Sequence, residues 1–262
     1  MCARDAECFI GEAIESILGQ TYRDFEFLIV ENGSTDGTWD IIKSYSDRRI
    51  RAFRTPLRQL TFNLNFGLMQ TKADYIARMD ADDIAERTRI ARQIEYLDAH
   101  LDIAVLGTAF ELFGACRRKK EVILPTADRA IRRRLPFRFS VCHPTVMFRR
   151  EVILQHAGYR DGVFCEDLDL WLRLSRDRSV KFANLEEPLL KYRVHPGQVK
   201  GRREGYIGIA SVLFKESLIQ RSPQLFAGFI LSLLKLALSH GGTLHRYDHS
   251  SDTLSCQCQE IR

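Results

Sequence analysis

Apolar and polar positions alternate along this chain with two different periods, and the period switches repeatedly over the first hundred residues. Residues 9–18 place Ile10, Ala13, Ile14, Ile17 and Leu18 on one helical face. Residues 25–30 (Phe-Glu-Phe-Leu-Ile-Val) then form a nearly continuous apolar run, as a strand buried on both faces requires. A turn at Asn32-Gly33-Ser34-Thr35-Asp36-Gly37 follows. Thr35 or Asp36 is placed to cap the next helix, whose inner face would carry Trp39, Ile42 and Tyr45. Short strands are expected at 50–53, 75–79 and 103–106, with helices at 60–69 and around Ile90, Ile94 and Leu97. Alternating strand and helix is the signature of a doubly wound α/β sheet.

After Gly107 the rhythm changes. The pattern predicts a β-excursion over 108–124, a short basic helix over 126–135 and a strand at 146–149. Helices follow at 151–156 and 167–174, then strands at 180–183 and 189–194. A long helix over 206–218 should turn Ile207, Ala210, Leu213, Phe214 and Leu218 inward. Residues 239–262 are polar and read as a loose tail. The expected organisation is a first half over 1–107, a second half of the same domain over 108–220, and a C-terminal helix and tail over 221–262. One element is missing from the expected plan. Doubly wound domains open with a central strand, and Met1-Cys2-Ala3 is too short and weak to supply it, which would leave the neighbouring strand with an unpaired edge.

Composition narrows the class. With 262 residues, 45% hydrophobic and 28% charged, the chain suits one sizeable globular body. A net charge of +5 allows anionic ligands or lipid but does not indicate nucleic acid, and the basic runs at 117–120, 132–134 and 200–203 lack the interleaved aromatics of a base-stacking surface. They read first as solvated faces. Seven cysteines, widely spaced except for Cys256 and Cys258, do not make a disulfide scaffold and suggest mostly reduced thiols in a cytoplasmic protein, with no signal peptide. Residues 225–238 are too short to span a bilayer. A buried helix is the plain reading. An interfacial helix at the inner face of the plasma membrane is the alternative, helped by Phe226 and Phe229.

Three polar clusters fall at strand or helix ends. Asp80, Asp82 and Asp83 follow the 75–79 strand, where open α/β sheets bind ligands. Helix capping explains one or two of them, most readily Asp83. Two carboxylates at a strand end also hold Mg²⁺ or Mn²⁺, with phosphate and water completing the shell. Glu31 through Asp36 is an ordinary turn and cap, or a polar bracket for a nucleoside. Glu166 and Asp167 precede a helix and are caps, or one is a general base for an incoming hydroxyl. Arg193 and His195 are extended-strand residues able to reach a phosphate or a metal.

Taken in order, several segments resemble the inverting, nucleotide-sugar-dependent glycosyltransferases of family 2. They are residues 12–22, Glu31-Asn32-Gly33-Ser34-Thr35-Asp36, residues 64–68, Ala77-Arg78-Met79-Asp80-Ala81-Asp82-Asp83, Glu166-Asp167-Leu168-Asp169-Leu170-Trp171-Leu172-Arg173 and Tyr192-Arg193-Val194-His195. The resemblance implies a GT-A fold, a Rossmann-like mixed sheet flanked by helices. It implies that Glu31 and Asp80 bind the nucleoside, that Asp82 binds a Mn²⁺ or Mg²⁺ ion bridging the diphosphate, and that Asp167 is the catalytic base. His195 would lie near the donor phosphates, and Arg87 and Arg89 would support the acidic loop. The partners implied are a nucleotide-diphospho-sugar and a glycan or lipid-linked acceptor, in bacterial cell-surface glycan synthesis. A nucleotidyltransferase, and a non-catalytic binding homologue that keeps the fold, are the rival readings.

Overall fold

The computed structural model describes residues 1–115, 120–160, 165–195 and 203–238. Residues 117–119 of the basic turn expected at 117–120, and the expected C-terminal tail at 239–262, lie outside these residues. In chain order the first elements are β1 (Cys2–Ala3), α1 (Ile10–Leu18), β2 (Phe27–Glu31), α2 (Thr38–Ser44), β3 (Ile50–Arg54), α3 (Leu60–Met69), β4 (Tyr75–Ala77), β5 (Ile84–Ala85) and α4 (Arg89–Ala99). They are followed by β6 (Ile103–Gly114), β7 (Lys120–Val122), α5 (Asp128–Arg134), a 3₁₀ turn (His143–Thr145), β8 (Met147–Arg149), α6 (Arg150–Gln155), α7 (Glu166–Leu174), β9 (Lys181–Val194), α8 (Arg203–Ile219) and α9 (Pro223–Leu238).

The strands make a parallel group β1-β2-β3 and a mixed group β4-β8-β6-β9-β5, with β7 added along β6. A parallel bridge between Cys2 and Asp80 joins the two groups. The first strand expected to be missing is therefore present in short form. Cys2 and Ala3 pair with Val30 and Glu31, the backbone N–H of Val30 donates to Met1 O and that of Asn32 to Ala3 O, both at 2.9 Å. These residues meet β2 at its carboxyl end, beside the acidic segment.

α1 buries Ile10, Ala13, Ile14 and Ile17 against β1 and β2, each isoleucine contributing about 2 kcal/mol relative to exposure. A second core gathers Trp171, Phe182, Phe148 and Leu213 between α7, the mixed sheet and α8. Asn63 and Asn65, odd residues for a helix, are tethers. Asn63 is fully buried and its amide donates to Leu57 O and Gln59 O. Asn65 pairs with the backbone of Tyr159 in both directions.

Four expectations are corrected. The two strands expected at 180–183 and 189–194 are one, because register shifts around Ala109 absorb Pro188 without breaking the ladder with β6. Arg132 is no solvated cation: its guanidinium donates to Asp128 and to Ser175 O at 2.6 Å. On α8, Ile207, Phe214 and Leu218 face outward while Val212, Leu213 and Ser217 are buried. Asp83 does not cap a helix, since it precedes β5 and α4 starts six residues later. Cys2, Cys142 and Cys165 stand outside disulfides and Cys8 is disulfide-bonded. Among the described residues no helix is long and apolar enough to cross a membrane.

Candidate active site at the carboxyl rim of the sheet

The acidic segment is built on two buried arginines. Arg78 follows β4, and its guanidinium holds both Asp80 oxygens at 2.5 and 2.7 Å. Arg89, fully buried on α4, donates to Arg78 O at 2.6 Å and to Gln93 Oε1 at 3.1 Å. Buried charges persist only when paired or hydrogen-bonded, so Arg89 fixes the backbone from which Arg78 and Asp80 project. Burial, with the Arg78 charge adding, still pulls Arg89 down to about 10.

The end of β9 staples the same segment from the other side. The Arg193 backbone N–H donates to Asp83 Oδ1 at 2.9 Å, and its Nε donates to Asp82 O at 2.7 Å. The Arg193 guanidinium also pairs with Glu12 and lies between the rings of Phe9 and Phe113, 4.8 and 4.5 Å from their centroids. His195 Nε2 sits 3.0 Å from Asp82 Oδ2, its ring against Phe9. Asp80, Asp82 and Asp83 each offer a carboxylate oxygen, and these atoms lie within 4.8 Å of one another. Burial first, then the Asp82 charge, raises the Asp80 carboxyl against the pull of Arg78. Burial, then the charges of Asp80 and Asp82, pushes Asp83 well above the usual range. Asp83 Oδ2 is buried and has no hydrogen-bond partner among the described residues. Three converging carboxylates, one of which keeps a buried oxygen without a hydrogen bond, fit a Mg²⁺ or Mn²⁺ ion, whose charge would offset their repulsion.

Glu31 and Asp36 shape the neighbouring loop. The Glu31 side chain is fully buried, accepts from the Ser34 N–H and meets Arg54 Nε at 2.9 Å. Gly33 takes φ +67° with the carbonyls of Thr55 and Pro56 close by, a position suited to glycine. Asp36 starts α2 by accepting from the Thr38 N–H at 3.1 Å and hydroxyl at 2.6 Å. Those bonds and one from the Glu7 N–H overcome burial and hold its carboxyl below the usual range.

Glu166 and Asp167 form the first turn of α7. Asp167 Oδ1 accepts the Leu168 N–H at 2.7 Å. Burial raises Asp167, and it feels the opposing charges of Arg78 and Asp80. Burial, then the Asp167 charge, pushes Glu166 up to about 7. The helix is held by Asp169, which binds Arg173 at 2.7 Å and Lys215 of α8 at 2.6 Å. Arg173 also donates to the carbonyls of His156 and Gly158, and so anchors the turn leading to Tyr159. The Tyr159 hydroxyl lies 2.8 Å from His143 Nε2, and burial keeps that imidazole neutral well below its ordinary range.

The fold thus brings His195 and Arg193 into direct contact with the Asp82–Asp83 segment, sets a carboxylate oxygen of Asp80 within 4.8 Å of those of Asp82 and Asp83, and puts Asp167 within the electrostatic reach of Arg78 and Asp80. It sets Glu31 and Asp36 into the adjoining loop. The sequence reading missed Arg78, His143 and Tyr159. Arg78 had a signal: a cation inside a strand-like run must find a buried partner. His143 and Tyr159 had none, since only the 3₁₀ turn and the 156–158 turn bring them together.

Comparison with known proteins gives the family and the fold. The family model described as "Glycosyl transferase family 2" matches residues 1–157. The O-antigen biosynthesis glycosyltransferase WbnJ of Escherichia coli is 35% identical over 221 residues, covering 82% of this chain and 85% of the relative. The fold is similar to that of S. aureus TarS 1-349 in complex with UDP-GlcNAc (TM-score 0.70, 16% identity, 92% of this chain and 73% of that one). It is also similar to the mannosyltransferase PcManGT from Pyrobaculum calidifontis in complex with GDP-Man and Mn²⁺ (TM-score 0.61, 16% identity, 93% and 74%).

Proposed function

The chain belongs to glycosyl transferase family 2, and from that premise we propose that it transfers a sugar from a nucleotide-diphosphate donor to an acceptor hydroxyl with inversion, in cell-surface glycan synthesis. The observation that carries the reading is the convergence of Asp80, Asp82 and Asp83 at the sheet rim, in the part of the chain that a donor diphosphate would approach. Asp82 and Asp80, with His195 beside them, would hold Mn²⁺ or Mg²⁺, which when bound neutralises charge developing on the departing diphosphate. Glu31, Asp36 and Asp80 border the nucleoside, and Arg193 keeps the acidic loop seated against β9. Asp167 accepts the proton of the acceptor hydroxyl as its oxygen attacks the anomeric carbon. Residues 1–107 would serve the donor and 108–220 the acceptor.

The acceptor class, a glycan or lipid-linked glycan, is suggested by the O-antigen relative. A lipid-linked acceptor would bring the protein to the inner face of the plasma membrane. The test is release of nucleoside diphosphate from a panel of nucleotide sugars with Mn²⁺ and glycan acceptors. Asp167→Ala should lose transfer and keep donor binding by calorimetry. Normal transfer by that variant would remove the base assignment. Metal-dependent nucleotide binding without turnover over the whole panel would make the protein a binding homologue.

A further inference from the structure

The α8–α9 hairpin covers the second core with one face and leaves the other bare. Val212 and Leu213 of α8 and Leu225 of α9 join that core. On the outer side, Phe226, Ile230, Leu234 and Leu238 are all exposed and recur every fourth residue along α9. Phe229 lies between Phe226 and the exposed Phe214 of α8, at 5.7 and 5.1 Å between ring centroids, so the two helices present one continuous apolar surface. Single exposed apolar residues are ordinary, but a contiguous patch marks an interaction surface.

The border of this surface is cationic. α9 seats on α5 and the segment that follows it: Gln224 donates to Arg133 O at 2.7 Å, and Gly228 packs under the Pro136 carbonyl. Arg129, Arg133 and Arg138 of that segment are exposed, and residues 129–139 contain no carboxylate. α9 itself carries Lys235 and no acidic residue. Two copies meeting through this face would bring like-charged borders together, whereas an anionic surface would match them. At 16 residues α9 is too short to cross a bilayer.

We propose that the α8–α9 face docks on an anionic lipid surface, with Phe226, Ile230 and Leu234 in the acyl boundary and Arg133 and Arg138 at the headgroups. The proposal rests on the membrane contact inferred for a lipid-linked acceptor but uses a surface remote in sequence from the transfer residues. It is tested by flotation of the full chain with phosphatidylcholine vesicles, with and without phosphatidylglycerol. Wild type should float with the anionic vesicles only, and less as salt rises. The triple variant Phe226→Ser, Ile230→Ser, Leu234→Ser and the double variant Arg133→Glu, Arg138→Glu should each lose roughly tenfold or more of that binding. Both should keep the thermal transition and the transfer to a soluble acceptor, since every substituted side chain is exposed. Failure of transfer with intact flotation would strike the reaction alone. The docking is overturned if wild type does not float, if it floats equally on neutral vesicles, or if the variants float like wild type. A lipid-free dimer that the triple variant dissociates would also overturn it, in favour of a second copy.

Discussion

Arg78 grips both oxygens of Asp80, two residues further on, at 2.5 and 2.7 Å. The pair is lopsided: the guanidinium is almost fully buried while the carboxylate keeps one side open. Arg78 therefore cannot turn to water if its partner is lost, and Asp80 is aimed before any ligand arrives. Arg78→Met should cost about 3 kcal/mol, the scale for breaking a buried pair. It should also weaken donor binding, since Asp80 would lose its orientation. Urea unfolding and nucleotide titration measure the two effects separately. Unchanged stability would mean the Asp80 contact is incidental.

Asp82, inside the acidic segment, and His195, directly after β9, meet at 3.0 Å. If Asp82 holds the cation, Asp82→Asn should abolish Mn²⁺ binding read by electron paramagnetic resonance. His195→Ala should weaken it by roughly tenfold to a hundredfold, as expected for a residue that orients or completes the ligand set. Equal, full loss in both variants would make His195 a direct ligand of the same rank.

Much of this arrangement was legible in the chain itself. The helix and strand periods placed α1, β2, α3 and α9 within a few residues, and the acidic triplet stood out as soon as it was set at a strand end. What periodicity could not show was pairing across the sequence. The short β1 was not legible because its role is to pair with the end of β2 and to bridge to Asp80, contacts that strand propensity does not express. Asp83 read as a cap because acidic residues before a helix usually are. Its partner, the Arg193 N–H, lies 110 residues away. The outward turn of Ile207, Phe214 and Leu218 on α8 escaped for a different reason: an apolar helix that faces the core on one side and leaves another side bare has no clean stripe to read.

Asp167 is half enclosed, its carboxyl raised by burial and further by the Asp80 charge, with Arg78 opposing. A base works only when deprotonated, so transfer should rise with pH through an acid limb that lies above the ordinary aspartate range. Asp167→Asn should lower kcat by roughly 100- to 10,000-fold and leave the donor Kd unchanged. A kcat profile flat from acid to neutral pH would argue that another group takes the proton.

Glu166 gives a stability prediction of the opposite sign to most carboxylates. Its folded pKa, about 7, lies above the ordinary 4.5. Between those values the native state holds a proton that the unfolded chain has released. Stability therefore falls as pH rises through this window. Glu166→Gln cannot ionise, so its stability should fall less than that of wild type from pH 4.5 to 7. Urea midpoints at several pH values measure this. Parallel profiles for the two proteins would place the titration elsewhere.

Two glycines of the C-terminal hairpin test how closely α9 is seated. A Cβ on Gly228 would lie 2.3 Å from the Pro136 carbonyl oxygen and 3.0 Å from its carbon, whereas one on Gly205 would meet nothing within 4 Å. Both are helical, so propensity alone favours alanine at each by up to about 1 kcal/mol. Gly205→Ala should realise that gain. Gly228→Ala should reverse it, losing about 1–3 kcal/mol as the helix is pushed off the α5 segment, and should make the Gln224 side chain exchange more readily with solvent. The contrast between the two, read from urea unfolding, separates packing from propensity. A Gly228→Ala protein as stabilised as Gly205→Ala would mean that α9 does not rest on Pro136, and the cationic border of the apolar face would lose its place beside it.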